Sequence, residues 1–236
     1  MTLATSSAVV SDLMERLATI RLAIEHAAAR TDRDPSGITL VGVSKTVDRA
    51  MIDAAYDAGL RQFGENRVQD AAAKFGASFP ADARAHLIGQ LQSNKAKTAV
   101  RIFDVIESVD RPSLVAALVA ATAGLERPIP VLLQVNIARE PQKSGCAPED
   151  AAALVGSIRA CSGLDLRGLM TIAPLADDIE TVRPVFAGLR TLRDDLRHRH
   201  PGLSLSVLSM GMSNDFGVAI EEGATHVRIG RALFHG

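Results

Sequence analysis

A chain of 236 residues, 47% of them hydrophobic and 22% charged, can bury one substantial core and leaves little room for two independent domains. With 26 lysines and arginines against 27 acidic residues, its net charge of -1 leaves no electrostatic footprint for a nucleic acid or an anionic membrane, so any partner has to be recognised locally. Cys146 and Cys161 form no CxxC pair, the opening MTLATSSAVV has no basic region, and the apolar stretch around Leu114 to Leu125 is too short for a bilayer; reduced thiols in a cytoplasmic protein are expected.

Along the chain, Val10, Leu13, Leu17, Ile20 and Ile24 recur at three and four residues and predict a leading helix over about 8–30. Short β-branched runs then alternate with amphipathic stretches. The strands read as Ile38 to Ser44, Arg61 to Gly64, Ala85 to Gly89, Asp104 to Ser108, Val131 to Ile137, Leu166 to Ile172, Leu205 to Met210 and His226 to Ile229. Between the sixth and seventh, Ile179, Val182, Val185, Phe186, Leu189, Leu192 and Leu196 form a helical apolar stripe that Pro201-Gly202 ends. Eight strands in βα alternation predict a closed (β/α)8 TIM barrel, and with no linker or internal repeat the whole of 1–236 reads as one domain. The competing doubly wound sheet needs a glycine-rich first turn, and the first strand here ends in Ser44-Lys45-Thr46 instead.

Lys45 follows the apolar run ITLVGVS at the strand end where barrels carry their chemistry. By the two-residue period it shares a face with Val41 and Val43, so if those point inward Lys45 enters the barrel mouth. A lysine in water has a pKa of about 10.4, and partial burial there would favour the neutral amine that attacks an aldehyde. The alternative is a lysine that reaches out to solvent from a strand end.

The second constellation is SMGMSND followed by EEGATHVRIGRALFHG. Gly211, Ser213 and Asn214 make a polar turn after an apolar strand, with a helix beginning near Asp215, where backbone N–H groups and a hydroxyl can hold a phosphate. Arg228 interrupts the last strand between Val227 and Ile229 and must find an acceptor, which directs it toward the mouth on the side of Gly230, where a ligand can approach the backbone. Loops after the seventh and eighth strands are the usual phosphate site of this fold. An ordinary turn and a salt-bridged arginine remain the alternative.

The strings LVGVSKT, FGENRVQD, HLIGQLQSNK, VIESVDR, QVNIAREPQKSG, LRGLMTIAP and LSMGMSNDFGVAIEEGATHVRIGRALF resemble those of the pyridoxal phosphate homeostasis proteins, single-domain relatives of the alanine racemase N-terminal barrel. The resemblance covers nearly all of the chain after residue 38. It implies pyridoxal 5′-phosphate as cofactor, held as a Schiff base on Lys45, with Asn66 lining it, Ser213, Gly230 and Arg231 on its phosphate, and Arg228 facing its pyridine nitrogen. A small hydroxyl residue is common in the family where Arg231 stands. Lys143 in QKSG matches a further lysine of the family near the mouth. The implied function is vitamin B6 homeostasis, with B6 vitamers and recipient apo-enzymes as partners, in a monomer.

An arginine facing the ring nitrogen leaves that nitrogen unprotonated, and the ring a weak electron sink. The alternative function, amino-acid racemisation, would need a second acid/base on the other ring face; the single tyrosine, Tyr56 in AAYDAG, reads as packing on a helix. No catalytic or metal residues are therefore assigned. His198 to His200 reads as a basic helix end, His86 and His226 as packed or hydrogen-bonded histidines, Glu221-Glu222 as a solvated helix end, and Ser93 to Lys97 as surface charge.

Overall fold

The computed structural model describes residues 3–76 and 79–235. Eight parallel strands, β1 (Thr39–Val43), β2 (Gln62–Glu65), β3 (Arg84–Leu87), β4 (Val105–Val109), β5 (Ile129–Gln134), β6 (Leu164–Met170), β7 (Val207–Ser209) and β8 (His226–Ile229), close into a barrel in chain order. Helices α1 (Leu3–Ala29), α2 (Arg49–Asp57), α3 (Val68–Lys74), α4 (Ala96–Ile102), α5 (Pro112–Thr122), α6 (Ala151–Arg159), α7 (Arg183–Arg199), α8 (Phe216–Glu221) and α9 (Arg231–Phe234) surround it. No helix among the described residues is long and apolar enough to cross a membrane.

Local chemistry sets the boundaries. Asp48 caps α2 by accepting from the Met51 N–H, and Pro112 opens α5 at a position whose N–H would go unused. The strand expected from Leu205 shortens to Val207–Ser209 because Leu205 has φ 39, a left-handed geometry no strand accepts. The strand expected over Val131 to Ile137 runs earlier instead, and beyond Gln134 only Val135 makes an isolated bridge, to Cys146. The apolar stripe before α7 starts as a tight 3-10 turn, Ile179–Val182, which the Asp178 carboxylate caps.

Register carries the period-two pattern around the barrel: Gln62 lies beside Val41, His86 beside Gly64, Met170 beside Gln134, Ser209 beside Met170, and Arg228 beside Val41. The apolar side chains divide accordingly. Phe63, Leu87, Ile106, Leu133, Leu169, Leu208, Val227 and Ile229 join Leu13, Leu17 and Ile20 of α1 in one core between strands and helices. Val41, Val43, Ile88, Leu132 and Met170 are buried outside that core, inside the barrel. A bulge in β4 keeps Ile106 and Val109 both in the outer core and leaves Glu107 and Ser108 between them.

α1 packs on α8, α9 and α2, across the seam where β8 meets β1. Its registration is reinforced by ions: Arg30 pairs with Glu221, and Arg183 of α7 with both Glu221 and Glu222, which Arg190 also holds. The expectation of a solvated Glu221-Glu222 helix end is thus corrected, since both carboxylates are largely covered by three arginines brought from α1 and α7.

Candidate functional site

The ends of β1, β2, β7 and β8 place most of the expected site residues on one rim. Lys45 is the second residue past β1, in a turn fixed from below and from the side. Below it, Ser44 is fully buried; its hydroxyl donates to Glu65 Oε1 at 2.8 Å, and its carbonyl accepts from Lys74 Nζ at 2.8 Å. Lys74 also pairs with Glu65 at 2.8 Å. Beside it, Thr46 Oγ1 meets His235 Nε2 at 2.5 Å and ties the turn to the segment following α9. The Lys45 side chain is exposed, and no hydrogen bond or ion pair engages it among the described residues. The expected partial burial is absent because Lys45 lies beyond the last paired residue of β1, where the wall no longer encloses it.

The turn expected to take a phosphate is tightly fixed. Gly211 has φ 92, and a Cβ there would stand 2.6 Å from Ala219 Cβ, so the turn demands glycine. The Met212 N–H donates to Asp215 Oδ1 at 2.6 Å, and Asp215, just ahead of α8, is buried; burial raises its carboxyl pKa, against the lowering effect of the Met212 N–H and nearby Arg228. Ser213 Oγ accepts from the Ala232 N–H at 3.4 Å, which joins this turn to the one after β8. At Gly230 a Cβ would lie 3.2 Å from Val43 Cβ and 3.3 Å from the Val43 carbonyl, so the RIGRA turn rests on the end of the strand that carries Lys45. Arg231 is exposed at the start of α9. Asn66, half-buried, follows β2 on the same rim. Lys143 pairs with Glu140 at 2.6 Å, and its charge reaches Asp215.

Arg228 does not extend to the rim but lies inside the barrel. It is buried, donating from Nη1 to Ser209 Oγ at 2.6 Å and from Nη2 to the Thr171 carbonyl at 2.8 Å. Ser209 Oγ donates in turn to Glu107 Oε2 at 2.5 Å. Glu107 Oε1 meets His86 Nδ1 at 2.7 Å, and His86 Nε2 meets Gln62 Oε1 at 2.8 Å. Burial alone would push the Glu107 carboxyl up, but its bond to His86, the charges of His86 and Arg228, and the Ser209 hydroxyl hold it at about 2. His226, whose ring centroid lies 6.2 Å from that of His86, is pushed down to about 4, chiefly by burial, so its imidazole stays neutral.

Gln62, His86, Glu107, Thr171 and Ser209 were not anticipated as site residues, although the reading of His86 as hydrogen-bonded holds. Each is a polar residue inside an expected strand, but its partners lie on other strands, so nothing local in the sequence marked the five as a network. Tyr56 is engaged elsewhere, with its hydroxyl 2.5 Å from Asp82 Oδ1 and its ring under the Arg61 guanidinium, beside the start of β3 and away from the rim. Cys146 and Cys161 are free, and burial raises the Cys146 thiol to about 12, too high for a reactive thiolate. Among the described residues no cluster could hold a metal.

The model of the alanine racemase N-terminal domain matches residues 21–236. A pyridoxal phosphate homeostasis protein of Pseudomonas aeruginosa is 41% identical over 95% of this chain and 96% of its own length, and that of Aquifex aeolicus is 40% identical over 93% and 96%. PipY of Synechococcus elongatus, solved with PLP bound, superposes with a TM-score of 0.83 at 40% identity, covering 94% of this chain and 99% of its own. The chain therefore belongs to the alanine racemase N-terminal domain family and, within it, to the pyridoxal phosphate homeostasis proteins.

Proposed function

We propose that this chain holds pyridoxal 5′-phosphate reversibly on Lys45 and serves intracellular B6 homeostasis, passing the cofactor to apo-enzymes rather than turning amino acids over. The observation that carries the reading is the contact of Gly230 with Val43, which seats the Ser213–Ala232 phosphate turn against the strand leading to the free amine of Lys45. The donor set fits the cofactor: a hydroxyl, backbone N–H groups and an exposed guanidinium for a phosphate, a buried guanidinium for a ring nitrogen, and an amine for an aldehyde. The Synechococcus elongatus relative, solved with PLP bound and 40% identical, supports the same reading.

When bound, the cofactor supplies an aldehyde carbon that an amine attacks reversibly. Lys45 supplies that amine, and its exposure lets water and a competing amine reach the linkage, as release requires. Ser213, Gly230 and Arg231 grip the phosphate and so fix the aldehyde end near Lys45. Asn66 borders the ring from β2. Arg228 presents a charge that cannot be given up as a proton, so it orients the ring nitrogen without protonating it. No second acid/base faces the site from Tyr56, which is committed to Asp82. The chain works as one cytoplasmic unit and as a monomer.

The test is spectroscopic. Protein incubated with pyridoxal 5′-phosphate is expected to gain an absorbance band at the edge of the visible, which borohydride fixes as a mass addition on the Lys45 peptide and which Lys45→Ala abolishes. A Lys45→Ala protein that keeps the band overturns the reading. Exchange of amino-acid α-hydrogens in deuterated water at a turnover rate would favour the racemase alternative instead.

A further inference from the structure

The inward wall of the barrel carries a charged group for which the proposed binding has no use, Glu107. It sits in the β4 bulge with no exposed surface and touches three elements besides its own. His86 reaches it from β3, Ser209 from β7, and Arg228 of β8 stands 4.0 Å from its Oε2. His226 of β8 faces the same space, and Asp215 acts on Arg228 from the turn after β7. A serine hydroxyl has one proton. Since Ser209 Oγ already accepts from Arg228 Nη1, it spends that proton on Glu107, and the order of donation runs from guanidinium to hydroxyl to carboxylate.

This order fixes the guanidinium in two directions. Ser209, held by Glu107, captures Nη1, and the Thr171 carbonyl captures Nη2. The geometry points to Glu107 as a positioning residue that, through Ser209, aims the Arg228 guanidinium and tempers its charge at the ring end of the cofactor site. The inference rests on the reading under Proposed function. A buried arginine with only neutral acceptors would keep its whole field, and a Ser209 hydroxyl with no carboxylate to receive its proton would be free to turn away from Nη1; a carboxylate at two bonds' remove supplies a counter-charge and holds that hydroxyl without blocking the guanidinium face.

The experiment uses the full chain with pyridoxal 5′-phosphate as probe, comparing wild type, Glu107→Gln, Ser209→Ala, Ser209→Thr and the Glu107→Gln/Ser209→Ala pair. Two quantities are read: the dissociation constant, and the pH at which the bound-cofactor band converts. Glu107→Gln and Ser209→Ala are each expected to weaken binding about tenfold and to move the conversion pH in the same direction. The pair should do no worse than the more affected single variant, because both changes cut one chain of bonds. Ser209→Thr, which keeps the hydroxyl, should restore both readings. Ser209→Ala leaves both charges in place, so it carries the test if Glu107→Gln does not fold.

Binding and conversion like wild type in Ser209→Ala, or losses that add in the pair, overturn the positioning role while the borohydride-fixed Lys45 adduct of wild type stands. A wild type that forms no such adduct overturns the parent reading and this inference together.

Discussion

Lys74 shows how much of the Lys45 turn is built from behind. Its ammonium bridges the Ser44 carbonyl and the Glu65 carboxylate, whose other oxygen, Oε2, is buried with no hydrogen-bond partner among the described residues. Lys74→Met should therefore strand a buried charge and cost about 3 kcal/mol in urea unfolding, and the looser turn should slow borohydride trapping at Lys45. Acid stability is set by other single residues. The His226 pKa falls from an unfolded value near 6.5 to about 4, so the unfolded state takes up protons first and stability drops as pH falls between those values. Glu107, ordinarily near 4.5 and held at about 2, adds stability that is full above about 4.5 and lost on descent toward 2. Unfolding free energy measured from pH 7 to pH 3 should fall in two overlapping stages, and His226→Gln should remove the earlier one. Lys45 and Arg228 stood out as candidates because each interrupts an apolar run with a charge, and Ser213 and Gly230 because they sit in small turns at strand ends. Glu107 was not legible as a site residue, because Ser209, which defines its role, lies 102 positions away and meets it only across the closed barrel.

At the scale of elements, the turn between β7 and α8 depends on one backbone geometry. Gly211→Ala must place a Cβ 2.6 Å from Ala219 at φ 92, and a loss of about 1–3 kcal/mol is expected, with weaker cofactor binding through displaced Ser213. Thermal unfolding and a binding titration on the same variant check both halves. The leading helix is a second dependence. Leu13 and Leu17 are buried in α1, and Leu13→Ala should cost about 2–5 kcal/mol in denaturant unfolding while leaving the absorbance of the native fraction unchanged. Small polar residues revealed the turn, and periodicity revealed the leading helix and all eight strands. It misplaced their ends where backbone geometry or lone bridging took over, at Leu205 and Val135. The β4 bulge was beyond its reach, since a bulge is defined by the partner strand.

Across the whole molecule, the sequence pattern was enough for a closed barrel because eight βα units leave few other arrangements, but it did not show what locks the outer ring. The arginine–glutamate cluster does so by joining α1, α7 and α8 through Arg30, Arg183, Arg190, Glu221 and Glu222. Its carboxylate partners raise the Arg183 pKa further, so the guanidinium stays charged throughout. Arg183→Ala should lower the melting temperature in dilute buffer, and the difference from wild type should shrink in 1 M salt, where such pairs are screened. A salt-independent difference would point to packing instead.

Because β8 pairs with β1, the sheet is a hoop with no loose selvage. No foreign strand can be stitched alongside it, so any protein that docks on this chain has only rim loops and the helical jacket to grasp. Docking by strand zippering is excluded by topology before any partner is considered.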